Sequence, residues 1–221
     1  MIRQVPAHIF PRNGRHANTE GRIKIDKVFD GWPAGHSQFF FWDCHLPAGA
    51  DSVLWVEGNR QLVVLPVYGE LIISDSEQQL SVNVKPGELF TLPALEHKDF
   101  IVSNSAADHP CNFIWIALPA PPSIFLKYQV VSLKGIRPNQ LKTLAGNAWF
   151  SVSAAVLDER MEVGYALAGT NTAYVYVLEG VFECQNRLLE NRDGLAVWDT
   201  DTVEIESLGH RSVVLLVDAK L

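Results

Sequence analysis

The sequence predicts an all-β protein assembled from two similar jelly-roll β-barrel units, and three observations carry that expectation. Helical periodicity is scarce along the 221 residues, whereas short runs of β-branched and aromatic residues recur. Gly, Pro, Asn and Asp punctuate those runs, as they do in sandwiches and barrels. The chain also repeats itself. Leu46 and Gly69 stand 23 residues apart, Leu157 and Gly180 do the same, and the two pairs are offset by 111 residues.

The expected strands follow in order: 38–42, 62–65, 71–73, 88–92, 112–118, 149–155, 173–178, 194–198 and 212–217. Between the repeat markers, VVLPVYGEL (63–71) lies over YVYVLEGVF (174–182). A turn with Gly and an acidic residue then leads to another strand in each half, KPGELFTL (85–92) and NRDGLAVW (191–198). Each half closes on a hydrophobic strand, CNFIWIAL (111–118) and SVVLLVDA (212–219). The one helical candidate is PNQLKTLA (138–145), with Pro in its first turn and Gly146 after its end. The expected domains are therefore 1–120 and 145–221. A connector over 121–144 joins them, stiffened by the prolines of 119–122 and carrying the short interdomain helix.

Composition narrows the function classes. Hydrophobic residues make up 48% and charged residues 19%, which suits a packed globular protein rather than a disordered one. A net charge of −7 argues against nucleic-acid binding, which needs a basic surface. Residues 1–27 are locally basic through Arg3, Arg12, Arg15, Arg22, Lys24 and Lys27, and read as a solvated edge segment. Cys44, Cys111 and Cys184 are far apart and lack CxxC spacing, so they read as small core hydrophobes. The N-terminus lacks an apolar signal region and no stretch reaches membrane-spanning length. A cytoplasmic protein with no membrane partner is expected.

Strand, Gly turn, strand, then a Gly-acidic turn before the next strand is the layout of cupin domains. The stretch YVYVLEGVFECQNRLLENRDGLAVWDTDTVEIES (174–207) resembles the C-terminal cupin of pirin-like proteins. LPAGA (46–50) is similar to the entry of that family's first cupin motif, and FIWIALP (113–119) with Tyr128-Gln129 to the passage between its two cupins. The resemblance implies two tandem cupins. It also implies where a metal would sit in members that bind one. The N-terminal motif there is a Gly, five residues, His-x-His, a nearby Glu and a later fourth ligand. Alternate residues of a strand share a face, so such a pair of imidazoles enters the barrel together.

Mapped onto this chain, Gly49 opens the motif and the two His positions fall on Trp55 and Glu57. The Glu position falls on Gln61, and His97 arrives one residue before the fourth position, where Lys98 stands. In the second repeat the corresponding residues are Ala166, Ala168 and Thr172. The resemblance thus implies a degenerate site without a metal or other cofactor. Trp55, Glu57, Gln61 and His97 are expected to converge as a ligand pocket in the N-terminal barrel. Each has a plainer reading. Trp55 fits a pocket wall or a core plug. His97 fits an acid/base group at the barrel mouth or a surface histidine beside Glu96 and Asp99. Glu57 fits a functional carboxylate or one neutralised by Arg60 or Lys98. His8, His16, His36, His45, His109 and His210 show no ligand spacing and read as structural or surface residues.

The expected function is a metal-free bicupin that binds a small molecule or a protein partner and has no oxygenase activity, a reading that leans away from an enzyme. Two alternatives stand beside it. One is an enzyme resembling quercetin 2,3-dioxygenase, an activity associated with some pirin-like proteins. The other is a metal-independent cupin isomerase or epimerase with Glu57 or His97 as base.

Overall fold

The computed structural model describes residues 5–29, 39–75, 80–119, 121 and 129–220. Its strands in the first half are β1 (Ala7–Phe10), β2 (Ala17–Glu20), β3 (Ile23–Lys27), β4 (Phe40–Leu46), β5 (Asp51–Val56) and β6 (Arg60–Tyr68). They continue as β7 (Leu71–Asp75), β8 (Ser81–Val84), β9 (Glu88–Ala94), β10 (Lys98–Ser103) and β11 (Cys111–Pro119). The second half holds β12 (Gln129–Ser132), β13 (Lys142–Gly146), β14 (Phe150–Leu157), β15 (Glu162–Ala166) and β16 (Thr172–Glu179). Last come β17 (Phe182–Cys184), β18 (Arg187–Leu189), β19 (Gly194–Val197), β20 (Thr202–Ser207) and β21 (Ser212–Ala219). All nine expected runs fall on strands, although Gln38, at the start of the first, lies outside the described residues. Ala120 and Pro122 of the Pro-rich connector also lie outside them.

The strands form two barrels of matching topology. In the first, a seven-stranded sheet runs β12-β9-β6-β11-β4-β3-β2 and faces a four-stranded sheet, β5-β10-β7-β8. In the second, a six-stranded sheet runs β1-β19-β16-β21-β14-β13 and faces β15-β20-β17-β18. Except for β2, an additional edge strand of the first barrel, the orders coincide position by position, and Leu46 and Leu157 each end the strand that pairs with the last strand of its barrel. The repeat is therefore structural.

The two repeated glycines have a common cause. Gly69 and Gly180 turn the chain with φ of 71° and 95°, a region costly for residues with a side chain. A Cβ on Gly69 would stand 2.9 Å from the Cys111 Cα, and one on Gly180 would collide with Ser212. Each turn thus lies against the start of its barrel's last strand. The cores between the sheets are apolar and separate. The first holds Phe90, Phe100, Phe113 and Trp115 at or near zero exposure, and the second Val175, Phe182, Leu195 and Leu216.

Three expectations need correction. The helix over 138–145 does not form. Asn139 adopts a left-handed φ of 64° and its side chain locks onto Asp158, with Asp158 N–H donating to Asn139 Oδ1 at 2.8 Å. Residues 142–146 then become β13, because pairing with β14 buries Leu144 and Ala145 and outweighs a weak local helix propensity. The boundaries 1–120, 121–144 and 145–221 also shift. One compact unit is His16–Lys134; the other joins Met1–Arg15 to Gly135–Leu221. Strand β1 pairs with β19 and β12 with β9, so each large sheet takes one edge strand from outside its repeat. Finally, Arg15 is no solvated edge residue. Its guanidinium donates to the carbonyls of Phe10 and Arg192 at 2.7 and 2.6 Å and lies 5.6 Å from the centre of the Tyr176 ring.

Candidate functional site

Strand alternation decides what each barrel mouth presents. In the first barrel Leu54 and Val56 of β5, and Leu62 and Val64 of β6, enter the core. Trp55 falls between two of them, yet its half-buried ring packs against the same core at the rim. It meets Phe40 and Trp42 edge-on, at 5.6 and 6.1 Å between ring centres. On its other flank it stacks with His97 at 6.1 Å and 22°. His97 is exposed and pairs with Asp99, its Nε2 3.3 Å from the Asp99 carboxylate. The turn from Pro93 to Asp99 lines an open depression of about 430 Å³.

Glu57 reaches this rim through the turn that follows β5. Gly58 is pressed against that turn, where a Cβ would stand 3.0 Å from the Leu95 carbonyl oxygen, and Asn59 N–H donates to that oxygen at 3.3 Å. The half-exposed Glu57 carboxylate accepts a 2.8 Å bond from the buried Arg60. Of the two cations that could neutralise Glu57, the structure thus selects Arg60, and Lys98 pairs instead with the buried Asp75 at 2.9 Å. Arg60 Nε is buried with no acceptor among the described residues, an arrangement that native interiors rarely tolerate without a further partner.

Gln61 does not join them. The even-numbered positions keep the core-facing parity on both sides of the left-handed Asn59, at φ 57°, so Arg60 shares the parity of Leu54, Val56, Leu62 and Val64. Gln61 shares the parity of Val63 and Leu65 on the opposite face, fully buried. Of the four expected pocket residues, Trp55 and His97 stack, Glu57 pairs with Arg60, and Gln61 lies buried on the opposite face. A metal finds no fitting donors here. The strand positions that enter the barrel beside Trp55 are aliphatic, and among the described residues no three His, Cys, Asp or Glu side chains are placed to hold an ion.

The second barrel's mouth has different chemistry at the same places. Where Ala117 faces Phe40 in the first barrel, Asp218 faces Ser151 in the second. Where Trp115 faces Trp42, Leu216 faces Ser153. Asp218 is 8% exposed, and both its oxygens are engaged. Tyr165 hydroxyl donates to Oδ2 and Asn171 Nδ2 to Oδ1, each at 2.8 Å. Ser151 Oγ lies 2.8 Å from the Tyr165 hydroxyl. Burial pushes the Tyr165 phenol above its ordinary range, the Ser151 contact pulls it back and the Asp218 carboxylate pushes it further up. Sequence reasoning passed over this cluster because its members are scattered over 68 positions and match no motif. The visible signal was an Asp near the end of an otherwise aliphatic strand, VVLLVDA.

The cysteines serve neither mouth. Cys44, Cys111 and Cys184 are unbridged and buried in the two cores. Burial pushes the thiols of Cys111 and Cys184 up to about 12 and raises that of Cys44 as well.

Comparison with known proteins agrees with this architecture. Residues 139–219 match the family model of the quercetinase C-terminal cupin domain. No curated protein matches the chain. Among solved structures, YhhW from Escherichia coli is 16% identical over 97% of each chain, with a TM-score of 0.80. A structure of that protein, described as a bacterial pirin in complex with nickel(II), superposes with a TM-score of 0.80 at 14% identity, over 97% of this chain and 99% of that one. Quercetin 2,3-dioxygenase from Acinetobacter baumannii is 13% identical over 98% of this chain and 86% of its own, with a TM-score of 0.75. At such identities the solved structures speak to the fold alone. The chain thus has the fold of two tandem cupin barrels, similar to those of bacterial pirin, and its second barrel matches the quercetinase C-terminal cupin domain.

Proposed function

We propose that this bicupin is a small-molecule-binding or regulatory protein whose N-terminal barrel works without a metal and without oxygenase activity. The observation that carries the reading is the donor set. Trp55 stands at the rim where a ligating imidazole would be needed, and its strand neighbours that enter the barrel are Leu54 and Val56. An aromatic wall of Trp55 and His97 at the open depression lined by Pro93 to Asp99 suits a flat ligand. A cytoplasmic location and a protein partner remain part of this proposal.

The dioxygenase reading draws on the names of structural neighbours, and the donors of this barrel do not support it. The isomerase reading needs a base; Glu57 is tied to Arg60, which leaves His97 as its candidate. The test is direct. Purified protein should carry no stoichiometric transition metal, and a chelator should leave its melting temperature unchanged, since a metal bound to the native state would stabilise it. Quercetin should not be turned over, with or without added iron or nickel. Near one metal per chain, or turnover that a chelator abolishes, would reverse the proposal.

A further inference from the structure

We propose that the mouth of the C-terminal barrel, where Trp149 shares a face with Asp218, Asn171, Tyr165 and Ser151, binds a neutral polyhydroxylated ligand of monosaccharide size. The sharing follows from register. Ser151 and Asp218 are cross-strand partners with inward parity, since Ala155, Leu157, Val214 and Leu216 on the same alternation build the core. The ladder runs one step further, as Lys220 N–H donates to the Trp149 carbonyl at 2.9 Å. Phe150 and Ala219 between them are buried on the other face, so Trp149 and Lys220 continue the face of Ser151 and Asp218. Trp149 is 36% exposed, a large apolar surface beside a polar cluster.

The chemistry of that face selects the ligand class. Asp218 accepts one bond on each oxygen, and a carboxylate oxygen has room for a second. With the Tyr165 proton given to Asp218 and the Ser151 proton to Tyr165, both hydroxyls offer acceptors, and Asn171 keeps one amide N–H to donate and its carbonyl to accept. Paired donors and acceptors a few ångströms apart match adjacent hydroxyls, while an indole face matches the C–H surface of a sugar ring. Charge disfavours the other classes. The Lys220 ammonium lies 5.6 Å from the centre of the Trp149 ring and opposes a cation, and the Asp218 carboxylate opposes an anion. None of these residues belongs to the N-terminal mouth, so this site stands or falls independently of the function proposed above.

Saturation-transfer NMR on the full chain, with D-glucose, D-galactose, D-mannose, D-ribose and myo-inositol as probes, tests the proposal. At least one probe should bind with a dissociation constant of about a millimolar or tighter. Trp149→Leu, at an exposed position, should fold with an unchanged melting temperature and weaken that binding by about tenfold or more. Asp218→Asn should weaken it as well, and Trp55→Leu at the other mouth should leave it intact. Should Asp218→Asn unfold the protein, Trp149→Leu decides alone. The proposal is overturned if no probe gives transfer at about 20 mM, if binding survives Trp149→Leu, or if it disappears in Trp55→Leu instead.

Discussion

The two barrel mouths share one backbone plan and carry opposite chemistry. At matching cross-strand positions the first has Phe40 facing Ala117 and Trp42 facing Trp115; the second has Ser151 facing Asp218 and Ser153 facing Leu216. One mouth closes with edge-on rings and leaves its ion pair, Glu57–Arg60, at the edge. The other draws a carboxylate into the sheet and satisfies it with a tyrosine and an asparagine. A barrel of this kind thus tolerates either solution, provided every buried polar group finds a partner. Arg60 makes the contrast instructive, because 111 residues further along stands Asn171. The same position reaches outward to Glu57 in one barrel and inward to Asp218 in the other.

Exchanging the chemistry should expose how local each solution is. Ala117→Asp places a carboxylate opposite Phe40 with none of the donors that Asp218 enjoys. An uncompensated buried charge costs about 3–5 kcal/mol, so chemical denaturation should show a loss of that size. A loss under about 1 kcal/mol would mean that the first mouth is wetter than its aromatic packing implies. The reverse change, Asp218→Ala, should cost less, about 1–3 kcal/mol, because it leaves the Tyr165 hydroxyl and the Asn171 amide without their acceptor. Adding Tyr165→Phe should recover part of that loss, and strictly additive losses would show that the Tyr165–Asp218 bond contributes nothing.

At the edge of the first mouth the effects shrink. Glu57 is half exposed, so Glu57→Gln should change stability by less than about 1 kcal/mol. Its consequence should lie in ligand binding, read as Trp55 fluorescence against added ligand. A large stability loss would show that Arg60 depends on Glu57 for its burial.

The smallest effect is shared by both barrels. The folded state holds the Cys184 thiol at about 12 while an unfolded chain releases that proton near 9.0. A group raised in the folded state stabilises it fully below its unfolded value, and that contribution fades as the pH climbs from about 9 toward 12. Cys184→Ala should therefore flatten the alkaline limb of a stability profile. At neutral pH all three thiols should stay unreactive until the protein unfolds, and a rapid reaction in the native state would contradict their burial.

Much of the fold was legible because it rests on local chemistry. Strand runs announce themselves by composition, and the repeated glycines by turns that only they can make without collision. The helix over 138–145 was misread for the converse reason. Its local signals were weak, and the long-range bond between Asn139 and Asp158 with a waiting edge on β14 overrode them. The domain boundaries were misplaced because β1 crosses to pair with β19, a contact that spans most of the chain and leaves no mark in the composition of 7–10.

The candidate sites divide along the same line. That Trp55 and Glu57 fall at the spacing from Gly49 where the resemblance implies ligating residues can be read along the chain alone. Which way each side chain faces cannot. Trp55 and Gln61 share one parity, yet the Trp55 ring packs against the core at the rim while Gln61 is buried on the far face. The polar cluster of the second barrel lay further beyond reach. Ser151, Tyr165, Asn171 and Asp218 meet only because β14, β15, β16 and β21 close into one barrel. The sequence by itself determined the two-fold repeat and the strand content, both properties of neighbours along the chain. Facing, partnership and the polarity of each mouth waited on the tertiary structure, because strand pairing brings together residues that spacing alone leaves far apart.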